Sequence, residues 1–288
     1  MTSIHTPDKP LSELRNDRLA MLQDIAKELE GDVVFPVCFD ATVQISTVMK
    51  SQTASLQRIT HEVQKDPLIT SKLLKLANSV TYNPSGQQII DLGAAITRLG
   101  MEIARSTALA CAMEQLVRSR ELAAFETLAH DIWQHSLRTA MCARVIAMRL
   151  TRVNPELAML AGLVHDLGAF FLLDRANRYP ELHERPKTVE YLVAQWHESI
   201  GTILLDNLGL PEEVIEGVRE NDQPRPTVEN PRTLSDVIYV ANLFAGGLEE
   251  IRHLDLPGQI EPVELTLPKY LDLKPEMDAA CAEMMSLW

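Results

Sequence analysis

The 288-residue sequence predicts an all-α fold, a two-lobed helical bundle, on three observations. Apolar residues make up 46% of the chain and are mainly Leu, Ala, Ile, Val and Met, with only 5% aromatics. Such side chains lose little rotamer freedom in a helix. Apolar positions recur at three- and four-residue steps along most of the length. No alternating run flanked by Asn-Gly or Asp-Gly turns marks a hairpin. The apolar fraction is large enough to bury a core without disulfides or a structural metal.

The elements follow in order. Leu11 to Leu29 reads as an amphipathic helix, with Leu14, Leu19, Leu22, Ile25 and Leu29 on one stripe and Gly31 as its stop. An extended link through Val33, Val34, Phe35 and Pro36 leads to a helix from about Ala41 to Ser51. Asp66-Pro67 is a helix start, with an acceptor side chain at the cap and a proline in the first turn. Its buried stripe is Leu68, Leu73, Leu76 and Ala77, and Asn78 to Gly86 is a turn-rich break. A helix from Asp91 halts at Gly100, and Met101 to Val117 resumes the spacing through Ile103, Ala110, Met113 and Val117.

After the charged stretch Arg118 to Glu121, the residues Phe125, Leu128, Ile132, His135, Cys142 and Ile146 form the stripe of a second helical block. Asn154-Pro155 caps the next helix, which is apolar through Leu157, Leu160, Ala161 and Val164 and is expected to end at Gly168. Thr188 to Asn207, Pro211 to Glu220 and Asn230 to Gly247 complete the helical series. The segment from Leu254 to Pro268 reads as irregular, and a short helix is expected after Pro275.

Charge and cysteine usage narrow the function. Net charge is −13 with a pI near 5.1, and no run of Lys and Arg is visible. Nucleic-acid binders need basic surface to displace counterions from phosphate, so protein or small-ligand partners are expected and no nucleic acid. Cys38, Cys111, Cys142 and Cys281 stand singly, which removes zinc-ribbon and thioredoxin readings. Cys111 and Cys142 lie in apolar helical runs and read as small hydrophobes, and a reducing compartment is expected. Met1 to Asp17 carries no apolar signal region. Leu157 to Leu173 is broken by His165 and Asp166 and is short for a membrane span, so no membrane insertion and a cytoplasmic location are expected.

The residues that could carry chemistry are few. Gly162-Leu163-Val164-His165-Asp166-Leu167-Gly168 joins an imidazole nitrogen to a carboxylate oxygen, both ligands for Fe, Mn, Zn or Mg. His135 falls on the inward stripe of its helix, where an imidazole either meets a partner or stays neutral in the core. His197, in Trp196-His197-Glu198, is a third candidate, and taken alone it reads as a satisfied core residue.

These features together resemble the HDOD domains, members of the wider HD superfamily of helical metal-dependent phosphohydrolases. The resemblance runs from about Val34 to Asn242. It is carried by Phe35-Pro36, by Ile69 to Tyr82 with its Leu73-to-Ser79 run, and by Ile96 to Gly100. In the second half it is carried by Trp133 to Ser136, Leu160 to Gly168, His197 to Gly201 and Leu208 to Pro211. It implies an N-terminal helix and linker over residues 1–33, a first helical lobe over 34–120, an HD-like lobe over 121–250 and a tail over 251–288. His135 matches the first metal-ligand His of the HD pattern, and His165 with Asp166 matches its central doublet.

Three departures accompany the match. Ala169 stands where the hydrolases often place a Lys, Glu220-Asn221-Asp222 replaces a His pair, and Asn242 aligns with the last ligand Asp. A neutral amide cannot supply a carboxylate's charge, so weakened metal affinity is expected. The resemblance then implies a non-catalytic signalling module, with no cofactor, acting on kinases, response regulators or cyclic-dinucleotide enzymes. The alternative is a metal-dependent phosphohydrolase acting on a nucleotide or cyclic dinucleotide, with His135, His165 and Asp166 holding one divalent metal. A third reading has the cleft between lobes binding a small ligand without turnover.

Overall fold

The computed structural model describes residues 14–29, 36–50, 55–219, 221–223, 225–246 and 262–288, and among these residues there is no strand. Helix α1 (Leu14–Leu29) comes first. A first group follows: α2 (Asp40–Lys50), α3 (Leu56–Val63), α4 (Pro67–Ala77), α5 (Leu92–Leu99) and α6 (Met101–Val117). A second group comprises α7 (Glu126–Leu150), α8 (Pro155–Val164), α9 (Leu167–Ala176), α10 (Pro180–His183), α11 (Pro186–Asn207), α12 (Glu212–Val218) and α13 (Leu234–Ala245). The chain closes with α14 (Pro268–Leu271) and α15 (Lys274–Leu287). The Gly31 stop, the link through Phe35, Glu220, Gly247 and the expected irregular stretch up to residue 261 lie outside the described residues, as do the Leu14 and Leu19 side chains.

The caps read from sequence form as chemistry dictates. Asp66 Oδ1 accepts from the Leu68 and Ile69 amides at 2.8 and 3.1 Å, Asp91 from Ala94 at 2.7 Å, and Asn154 from Glu156 at 3.0 Å. Each satisfies amide hydrogens that a helix start leaves without a partner. Helix α3 was not anticipated. It has only two buried apolar positions, Ile59 and Val63, with Ser55 accepting from the Arg58 amide at 3.3 Å as its cap. Helix α13 begins at a reciprocal cap, later than expected: Asp236 N donates to Thr233 Oγ1 at 3.1 Å and Thr233 N donates to Asp236 Oδ2 at 3.0 Å.

One boundary differs in a way that matters. The helix starting at Asn154 was expected to run to Gly168, but it ends at Val164, and Gly168 lies inside α9. The two glycines of that motif are close-approach sites rather than stops. A Cβ at Gly162 would sit 2.8 Å from Ala140 Cα on α7, and one at Gly168 would sit 1.9 Å from the His197 carbonyl oxygen on α11. Gly162 thus seats α8 on the backbone of α7, and Gly168 seats α9 on the backbone of α11. The stretch Pro155–Ala176 is, at 22 residues, long and apolar enough to cross a membrane, against the expectation that it is too short, yet 89% of its apolar window is buried inside the protein. It is core.

That core is continuous. Buried side chains run from Ile45, Leu73 and Ile96 through Leu109 and Met113 of α6 to Ile146, Leu160, Leu173 and Ile238. Helix α6 is buried nearly all round and packs on α2, α4 and α5 on one side and on α7 and α8 on the other. Helix α1 is tied to α9 and the turn after it by Arg175 donating to Glu28 (2.8 Å) and Tyr179 donating to Asp24. Helix α15 lies on α7 and reaches α4, where Lys72 Nζ donates to the Leu287 carbonyl at 2.6 Å and stands 4.0 Å over the Trp288 ring.

Candidate functional site

The break between α8 and α9 sets the site. Asp166 has φ −101° and ψ 18°, and its carbonyl accepts from the Ala169 amide at 2.9 Å, so His165 and Asp166 both turn inward at the junction. His135 of α7, His197 of α11, Asp222 in the loop after α12 and Asn242 of α13 converge on the same point.

Each imidazole is oriented by a backbone carbonyl. His165 Nδ1 lies 2.8 Å from the Gly162 oxygen, His197 Nδ1 2.8 Å from the Val193 oxygen, and His135 Nδ1 3.4 Å from the Ala245 oxygen. A carbonyl only accepts, so each Nδ1 carries the proton, and in the neutral ring Nε2 presents a lone pair. All three Nε2 atoms point to the centre. Those of His135 and His165 are 3.1 Å apart. Around Asp166, His165 Nε2 stands 3.1 Å and His135 Nε2 3.6 Å from Oδ2, and His197 Nε2 3.5 Å from Oδ1. His197 Nε2 is also 3.0 Å from Asp222 Oδ2. Neither Asp166 oxygen accepts a hydrogen bond, and both are buried. Asn242 Nδ2 donates to Asp222 Oδ1 at 2.6 Å, while Asn242 Oδ1 and both polar atoms of Asn221 are buried without a hydrogen-bond partner.

Such a set of acceptors repels itself unless a proton or a cation sits among them. Burial opposes a charge on His165, yet the Asp166 carboxylate, with Asp222 and the Gly162 carbonyl, lifts its pKa above the ordinary imidazole value. Burial acts to raise Asp166, and the neighbouring His165, His197 and His135 outweigh it and hold the carboxyl well below the usual range. His135 goes the other way: burial holds it down against the pull of Asp166.

The structure brings His135, His165 and Asp166 together as ligand-spaced atoms, and it adds a second set, Asp166 with His197 and Asp222. Two sequence expectations are corrected here. His197, read alone as a core residue, belongs to the cluster. The deficit of negative charge expected from Asn242 is met in part by Asp222, which reaches the same place from a loop rather than from α13. His165 and Asp166 are each only 2% exposed; His135 alone borders a cleft of about 1390 Å³, whose other walls include Arg138, Lys187 and Cys142.

Comparison with known proteins bears on the family and the fold. The HDOD domain model matches residues 35–224. Among curated proteins, none matches significantly. Among solved structures, a candidate metal-dependent phosphohydrolase from Shewanella amazonensis SB2B is 24% identical, with 92% of this chain and 99% of that one covered and a TM-score of 0.64. An HDOD domain protein of unknown function from Geobacter sulfurreducens is 18% identical, with 93% and 98% covered and a TM-score of 0.55. A candidate signal transduction protein from Marinobacter aquaeolei VT8 is 18% identical, with 93% and 65% covered and a TM-score of 0.53. At these identities the likeness to the solved structures is one of fold. With the family match spanning more than half of its length, the chain belongs to the HDOD domain family.

Proposed function

We propose that this protein is a non-catalytic signal-transduction module that regulates or scaffolds a bacterial two-component or cyclic-dinucleotide pathway through contacts with other proteins. The observation that carries this reading is the closure of the cluster. A catalytic metal site keeps one position open to substrate, whereas His165, Asp166 and His197 are buried behind α8, α9 and α11, which leaves only His135, at the cleft, and Asp222, in its loop, partly exposed. Ala169, also buried, offers no charged contact to a phosphate, and Asn242 spends its amide hydrogen on Asp222. The relative from Marinobacter aquaeolei, described as a candidate signal transduction protein, supports the same context.

The experiment has two arms. Pull-downs against histidine kinases, response regulators and cyclic-dinucleotide enzymes are expected to yield a specific partner that the His165→Ala protein still binds. Assays on nucleotides and cyclic dinucleotides with added Mn²⁺ or Mg²⁺ are expected to show no turnover. Turnover that disappears in His165→Ala would overturn the proposal.

That result would install the second reading, a metal-dependent phosphohydrolase, which the convergence of three Nε2 atoms on two carboxylates favours. The donor set of imidazole nitrogens and carboxylate oxygens suits Mn, Fe, Zn or Mg, and the orphaned oxygens of Asp166 fit a cation. His135, His165 and Asp166 would hold one ion, with Asp166, His197 and Asp222 as a further grouping. A bound divalent ion supplies Lewis-acid polarisation. The chain's own part is orientation: the carbonyls of Gly162, Val193 and Ala245 fix the rings, and Asn242 fixes Asp222.

A further inference from the structure

Helices α7 and α15 run antiparallel. Arg149 forks onto Glu276 near the start of α15 at 2.8–3.0 Å, and Trp288 meets Trp133 edge-on at the other end with ring centroids 5.6 Å apart. Between these contacts, Cys281 Sγ lies 3.8 Å from the carbonyl of Arg138, one helical turn before Cys142. This register sets Cys281 against Cys142, and each thiol is the first influence on the ionisation of the other. Both sulfur-bearing residues line the same open cleft that His135 borders. Cys142 is buried and Cys281 half-buried.

We propose that Cys142 and Cys281 form a reversible disulfide in response to hydroperoxides, and that the bond straps α15 onto α7. The Cys281 thiolate attacks the peroxide; an S–O bond forms, the O–O bond breaks, and the departing hydroxide takes up a proton as water. Cys281 is then a sulfenic acid. The Cys142 sulfur attacks it; the S–S bond forms, the S–O bond breaks, and hydroxide leaves with the Cys142 thiol proton as a second water. Two thiols and one hydrogen peroxide give one disulfide and two waters. A dithiol reductant reverses the step by exchange.

The assignment of roles follows from surroundings. Cys281 is the more accessible sulfur, and the hydrogen bond from Cys142 holds its thiol below the ordinary value, against burial and the nearby Asp278, with Arg138 and Lys274 contributing. The same contact and burial push Cys142 up, so Cys281 is the sulfur that ionises first, while Cys142 keeps its proton until that proton leaves with the departing hydroxide. The strap has something to hold. Met277 is the only fully buried side chain of α15, and Ala280, Met284 and Leu287 pack on the core while still partly exposed, so the helix is held less deeply than α6 or α8 and is able to open locally. It nevertheless reaches both helix groups, through Trp133 on α7 and Lys72 on α4.

The test is titration of the full chain with hydrogen peroxide, followed by alkylation, intact mass measurement and peptide mapping. The expected product has lost two hydrogens and contains a Cys142–Cys281 linked peptide that dithiothreitol releases. Hydrogen exchange across 274–287 is expected to slow by about tenfold or more on oxidation. Cys281→Ser, at a half-buried position, is expected to leave Cys142 reduced, and Cys142→Ala to leave Cys281 advancing to sulfinic acid. Oxidation of Cys281 to sulfinic acid in the unsubstituted chain without a linked peptide would overturn the proposal. So would a link from either residue to Cys38 or Cys111.

Discussion

Three imidazoles with Nδ1 tied to carbonyls, and two carboxylates with few donors, make the centre of this protein a place that attracts positive charge. A proton on His165 would meet that demand, and, although burial opposes it, Asp166 favours it by raising that imidazole above its usual value. A divalent ion has to displace that proton. Affinity for Mn²⁺, measured by calorimetry, is therefore expected to increase with pH through the range above the ordinary imidazole value of about 6.5. In Asp166→Asn, which removes the shared carboxylate, binding is expected to fall below detection. Replacing His135 by Ala is expected to cost about 1–3 kcal/mol in chemical denaturation, since it leaves the Ala245 carbonyl and the His165 ring without their neighbour. His135, His165 and Asp166 were legible in sequence because a motif and an inward stripe marked them. His197 and Asp222 were not: a single inward histidine is usually core, and Asp222 lies in a loop whose placement depends on α11 and α13 packing together.

At the scale of elements, the helices form where caps and apolar stripes coincide, and misreadings cluster where tertiary contact decides. Helix α3, with two buried positions, has too little periodicity to be seen alone. Gly168 looked like a stop because glycine ends helices more often than it permits two backbones to touch. The distinction is testable by a pair of substitutions. Gly168→Ala drives a Cβ into the His197 carbonyl and is expected to destabilise by about 1–3 kcal/mol or more. Gly201→Ala, whose new Cβ would find its nearest neighbour at an ordinary 3.4 Å, is expected to be neutral or to stabilise by about 0.5 kcal/mol. Equal losses at both positions in urea denaturation would contradict the close-approach account. Thr233→Ala should cost about 1 kcal/mol by removing one half of the reciprocal cap of α13.

For the whole molecule, the helical class and the order of elements were legible from composition and spacing, whereas the relation between the helix groups was not, because it depends on contacts far apart in sequence. A lobe boundary near residue 120 is our proposal. The buried cluster crosses it without interruption, with α6 touching helices on both sides. The two parts are therefore expected to unfold together. Leu73→Ala in α4 and Leu173→Ala in α9, both fully buried, should each lower the stability by about 2–5 kcal/mol and shift a single transition. Two separable transitions, each moved by only one of the substitutions, would show independent lobes.

The contact of Gly168 with the His197 backbone has a consequence for how the centre is reached. With no side chain between them, α9 and α11 meet backbone to backbone, and no rotamer change at this point opens a gap between them. Asp166 itself is closed to solvent, so an ion reaching it passes the His135 ring or the Asp222 carboxylate, the two members of the cluster whose side chains stay partly exposed.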